Sequence, residues 1–160
     1  MADLTVTITE AVTLNGSSRG STNTLTVAGV DDIYHRIITC PDDVPVTVAN
    51  FHATVGASDS SLDVENVKYI RVTNMDSTNP VIIDLQMDTA EDDSAAADNC
   101  AMLLEAGKSF IMGSPSDGIF VNDGGATPVT ALSSLVNLES IIVDPLSEAV
   151  QVEVFIASVV

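Results

Sequence analysis

Two histidines, two cysteines and a surplus of carboxylates are the residues of this 160-residue chain that could do chemistry. His35 and His52 could each act as a general base, the task for which imidazole is most often recruited. His35 stands in Ile33-Tyr34-His35-Arg36-Ile37, where alternation predicts an exposed strand position. Cys40 with His52 would be a thiol–imidazole pair, but no third group is placed to orient the ring. The chain has no Gly-x-Ser-x-Gly elbow, no glycine-rich phosphate loop, no Cys-x-x-Cys and no His-x-x-x-His. The sequence therefore predicts no catalytic residue, no cofactor and no enzyme.

Carboxylates cluster at Asp31-Asp32, at Asp42-Asp43, at Asp59, Asp63 and Glu65, and at Asp88, Glu91, Asp92, Asp93 and Asp98. Calcium takes six to eight oxygens. The last cluster has the oxygen count, which makes Asp88, Glu91, Asp92, Asp93 and Asp98 calcium candidates. It lacks the Asp/Asn periodicity and central glycine of an EF-hand, and Ala95-Ala96-Ala97 adds no side-chain oxygen. The expectation is a self-repelling acidic loop, ordered by a basic patch on a partner in preference to calcium. Lys68 and Arg71 are two of only five cations in the chain, three residues apart on one predicted strand. They are the interface candidates: Arg71 either pairs internally with Asp84 or Asp76, or reaches a carboxylate of a neighbouring subunit. Strict alternation puts Lys68 on the face of Ile70 and Arg71 on that of Tyr69.

With 23 acidic residues against five basic ones the net charge is −18. That field repels phosphate backbones and anionic lipid, so neither nucleic acid nor membrane is an expected partner. Hydrophobic residues make up 46% of the chain, yet every apolar run is interrupted well short of the ~18 residues a membrane helix needs. The start of the chain has no basic segment followed by an apolar one, so it is expected to fold in the cytoplasm with Cys40 and Cys100 as reduced, buried thiols.

The elements that would position these side chains read as strands. Residues 4–9, 25–27, 33–39, 46–55, 68–74 and 81–87 alternate apolar with polar or are rich in β-branched residues. Asn15-Gly16 and the serines after it predict a loop or wide hairpin. Residues 138–143 and 150–159 predict a C-terminal hairpin, and residues 88–99 form the one segment of helical composition. Eight to ten short strands with almost no helix indicate an all-β, antiparallel two-sheet β-sandwich of jelly-roll type, one domain spanning residues 1–160. With no Trp and 4% aromatics, its core must be built of Val, Ile and Leu.

Several stretches carry a resemblance. Tyr69-Ile70-Arg71-Val72-Thr73-Asn74-Met75-Asp76 with Thr78-Asn79, then Leu104-Glu105-Ala106-Gly107-Lys108-Ser109-Phe110-Ile111-Met112, and Val152-Glu153-Val154-Phe155-Ile156-Ala157-Ser158 at the end, resemble small β-sandwich virion proteins of tailed phages of marine and cyanobacterial type. In such proteins these motifs are framework. The resemblance implies a structural role in a virion, most readily as a capsid decoration protein that binds the major capsid protein and forms a homo-oligomer such as a trimer. The alternatives are a tail-associated or receptor-binding accessory protein and a carbohydrate-binding module. The last is disfavoured by the lack of Trp and the presence of only Tyr34 and Tyr69 as phenols.

Overall fold

The computed structural model describes residues 2–52, 61–87, 99–119 and 135–160. Twelve strands and no helix lie among them: β1 (Ala2–Glu10), β2 (Thr13–Leu14), β3 (Ser17–Ser18), β4 (Ser21–Cys40), β5 (Val46–His52), β6 (Leu62–Asp63), β7 (Val67–Asn74), β8 (Val81–Met87), β9 (Asn99–Leu104), β10 (Ser109–Met112), β11 (Leu138–Asp144) and β12 (Val150–Val159). Sheet one has the order β1-β4-β12-β7-β10, and sheet two β6-β5-β11-β8-β9. Setting aside β1, the β2–β3 pair and β6, the antiparallel pairs nest: β8 with β9, β7 with β10, β5 with β11, β4 with β12. Nested pairing describes one long antiparallel ribbon rolled up on itself. The contacts of β12 with β7 and of β11 with β8 then join its parts into two four-stranded sheets. That is the expected jelly-roll sandwich.

Alternation builds the core. Along β8, Val81, Ile83, Leu85 and Met87 point inward and the residues between them outward. The same pattern on β12 contributes Val150, Val152, Val154 and Ile156 to one cluster shared by both sheets, dominated by Val, Ile and Leu and completed by Phe51, Met87 and the buried Cys40. Each fully buried aliphatic side chain contributes about 1.5–3 kcal/mol, so an aliphatic core of this size replaces what aromatics would supply. On β7 the alternation slips. Val67 and Ile70 both enter the core, because the register jumps between Ala157 and Ser158 of the paired strand. The bulge takes Lys68 out of step, so Lys68 does not share the inward face of Ile70.

Three expectations about connection need correction. Residues 25–27 and 33–39 are not separate strands but two ends of the 20-residue β4, whose first half pairs with β1 and second half with β12. The expected loop or wide hairpin at residue 15 is a tight two-residue turn, with φ of 50° at Asn15 and 75° at Gly16, between the paired residues Leu14 and Ser17. Positive φ at both positions is the type I′ geometry that follows the twist of flanking strands. The C-terminal strands β11 and β12 do not form a hairpin: they lie in opposite sheets, as do β7 and β8. Of residues 46–55, β5 accounts for 46–52; the remainder, and residues 88–98 with the calcium candidates Asp88, Glu91, Asp92, Asp93 and Asp98, lie outside the described residues.

The halves of β4 meet at Gly29, which has φ of 72° and donates its amide to Asp3 Oδ1 at 3.2 Å. A left-handed glycine bends a strand where other residues would be strained. Beyond this bend, residues 2–30 form an arm. Its base lies on the outer face of sheet one, where Leu4, Val6, Val27 and Val30 pack with Tyr69, Phe155 and Ala157 as a second apolar cluster. Farther along, residues 7–26 are all exposed.

Candidate interaction surface

The outer face of sheet one is ordered by strand register. His35 (β4) stands opposite Phe155 (β12), Phe155 opposite Arg71 (β7), and Arg71 opposite Ile111 (β10), so the four form one row across the sheet. The next row holds Ile37, Glu153, Thr73 and Ser109. Glu153 is therefore diagonal to both His35 and Arg71, within reach of long side chains. Its Oε1 accepts from His35 Nε2 at 2.8 Å and its Oε2 from Arg71 Nη2 at 2.7 Å. Arg71 Nη1 donates onward to Thr73 Oγ1 at 2.6 Å, and that oxygen lies 2.8 Å from Ser109 Oγ. The hydrogen bond from His35, helped by Arg71 and opposed by partial desolvation, holds the Glu153 carboxyl below its usual range.

The internal partner of Arg71 is thus Glu153, not Asp84 or Asp76. Asp84 points outward from β8 in the other sheet, where its Oδ2 accepts from Asn99 at 3.3 Å. Asp76 is occupied by the β7–β8 connection, its Oδ1 accepting the amides of Thr78 and Asn79 at 2.7 Å each, which lowers its pKa. Lys68 turns to the neighbouring loop and donates to the Glu65 carbonyl at 2.6 Å. The two interface candidates are therefore engaged differently: Arg71 is part of the floor of sheet one, and Lys68 fastens the strand's entry.

Aromatic edges continue the same face. His35 tilts against Phe155 with ring centroids 5.6 Å apart, and Tyr69 meets Phe155 edge-on at 6.1 Å. Between this floor and the arm runs a slot of about 360 Å³, lined by residues 4–8 of β1 on one side and by Tyr69, Arg71, Ile111 and Phe155 below. Leu4 and Val6 turn side chains toward the floor, and the intervening residues 5 and 7 border the slot with them, as they do where a strand's backbone edge adjoins the space. β1 pairs with β4 alone among the described residues, so this edge carries unpaired amides and carbonyls.

Other residues that could do chemistry are not brought together. Cys40 is fully buried and its thiol pKa is raised by desolvation, the opposite of an activated nucleophile. Cys100 is exposed on β9, against the expectation that both thiols are buried. His52 is exposed on β5, in the other sheet from His35. Among the described residues no group of three or more His, Cys, Asp or Glu could hold a metal ion. Sequence reasoning placed Arg71 on the face of Tyr69 but missed Glu153, His35 and the β1 edge as its company; the alternating Glu153-x-Phe155 was the available signal, and only register joins it to position 71. Compared with protein-family models, curated proteins and solved structures, the chain matches none.

Proposed function

We propose that the chain is a non-enzymatic structural component of a tailed-phage virion, made in the host cytoplasm and attached to the head as a decoration protein. The observation that carries this reading is the arm: a hairpin with exposure unbroken from residue 7 to residue 26, projecting from a jelly roll whose core does not need it. A segment that costs conformational entropy to order and buries little in its own chain is suited to contacts with neighbours. The charge of −18 keeps copies crowded on a shell apart except where specific contacts overcome it. The motif Asn74, Asp76 and Asn79, on which the resemblance partly rests, serves as loop framework.

A sugar-binding role is disfavoured by the two phenols. Tyr69 is only 4% exposed, and Tyr34 donates its hydroxyl to the Val48 carbonyl at 3.1 Å while the Arg36 guanidinium lies 5.3 Å above its ring centre. Neither offers a free flat face. The test is the copy number in purified virions, measured by quantitative mass spectrometry against the major shell protein. Decoration requires copies on the order of the shell protein's own; a count near a dozen would move the protein to the tail, and absence from particles would refute the virion role.

A further inference from the structure

The edge of β1 that no described strand pairs, the floor beside it, where Ile111 and Phe155 flank the Glu153-bound Arg71, and the uncovered tip of the arm belong to one contact. We propose that the slot of one copy receives the arm tip of a second copy, with Val12, Thr13 and Leu14 running along β1 as an added strand.

Geometry and charge both favour this occupant. The slot is bounded by five residues of β1, about 16 Å at roughly 3.3 Å per residue, and the four residues 11–14 that approach the turn, about 13 Å when extended, fit within it. Within that stretch Val12 and Leu14 alternate with Thr13, so an added strand turns two aliphatic side chains to Ile111 and Phe155 and one hydroxyl to solvent. In the isolated copy Val12 is 52% and Leu14 60% exposed, while Ile111 on the slot floor is 43% exposed. Each surface thus leaves aliphatic side chains exposed that the other can cover. The free edge itself has none of the usual guards: residues 4–9 contain no lysine, no proline and no charge.

Charge decides for a second copy over a basic partner. Residues 11–30 contain no carboxylate, and their one charge is Arg19, beside the tip. The rest of the chain is strongly acidic, and the slot is bracketed by Asp3 and Glu10 at the two ends of β1. A basic partner would be drawn to the acidic surfaces elsewhere. The tip is a carboxylate-free part of this molecule that another copy can approach without setting carboxylate against carboxylate, and its Arg19 is attracted to that copy's acidic surface. The tip of a copy cannot turn back into its own slot, because both belong to the same hairpin. The contact is therefore heterologous, tip to slot, and closes into a ring when the rotation per copy permits.

The experiment uses the full chain and two variants, Leu14→Lys in the tip and Ile111→Lys in the slot, followed by light scattering on a sizing column, with circular dichroism and thermal melting to verify folding. The wild type at high micromolar concentration is expected to run as an oligomer and each variant as a folded monomer. Mixing the two variants restores one intact slot and one intact tip, and a mixed dimer is the expected result. A monomeric wild type, variants that remain oligomeric, or folded monomeric variants that fail to recombine would each overturn the contact. If both lysine variants fail to fold, Thr13→Pro and Ile111→Thr take their places under the same criteria. The outcome is separate from the virion role, which the particle count decides.

Discussion

At the scale of single residues, Asn74 and Glu153 each join several chain segments through polar contacts. Asn74 is fully buried, donates Nδ2 to the carbonyls of Asn79 at 2.8 Å and Leu104 at 3.3 Å, and accepts the Asp76 amide at 2.9 Å. It thereby ties β7, the β7–β8 connection and the end of β9 together. Asn74→Ala strands these backbone groups out of reach of water and should destabilise the fold by about 2 kcal/mol, read as a lower urea midpoint with an unchanged slope. Glu153 bears on pH. Its folded pKa is depressed, so its contribution to stability is complete above the ordinary glutamate value of about 4.3 and is lost as pH falls through the lower folded value. Glu153→Gln should lower the melting temperature at pH 7, and the gap from wild type should close as pH falls below 4 or so. A gap independent of pH would show that the carboxylate's charge is not what His35 and Arg71 stabilise.

At the scale of elements, the arm depends on two glycines for different reasons. A Cβ on Gly20 would lie 1.9 Å from the Glu10 carbonyl oxygen, so the hairpin can pass this point only without a side chain. Gly20→Ala should part the strands near Glu10, detected as a new protease cut between residues 7 and 26, with the melting temperature of the sandwich little changed. Gly29 sets the bend with its φ of 72°. Gly29→Val, β-branched and forced into left-handed conformation, should cost at least ~1 kcal/mol and swing the arm off the sheet. The readout is fluorescence or NMR of Tyr69, whose ring now lies under Leu4 and Val6. An unchanged Tyr69 environment would count against Gly29 as the bend.

At the scale of the whole molecule, a charge of −18 on 160 residues opposes compaction. Salt at ~0.5 M cuts the Debye length to well below 8 Å, so the melting temperature should rise on going from low to moderate salt. A fall would mean that the ion pairs, such as Arg71–Glu153 among the described residues, outweigh the general repulsion. The acidic surface also limits where copies can meet.

Local chemistry in the sequence determined the strands: β-branched alternation along residues 81–87 leaves one face apolar whatever it packs against, and Asn15-Gly16 can adopt positive φ without help. The all-β class, the aliphatic core and the shared face of Tyr69 and Arg71 follow from such period-two patterns. Which strand lies beside which did not follow, because backbone hydrogen bonds carry no sequence identity and a strand edge accepts any partner. Residues 138–143 and 150–159 read as a hairpin, yet the connection through Asp144 and Leu146, with Leu146 at φ of 62° and its amide held by Asp144 Oδ1, carries the chain across to the other sheet. The continuity of β4 through Gly29 likewise had no local mark. Tertiary structure alone set Glu153 between His35 and Arg71, residues separated by up to 118 positions, because their meeting depends on the register of three strands and not on the identity of any one of them.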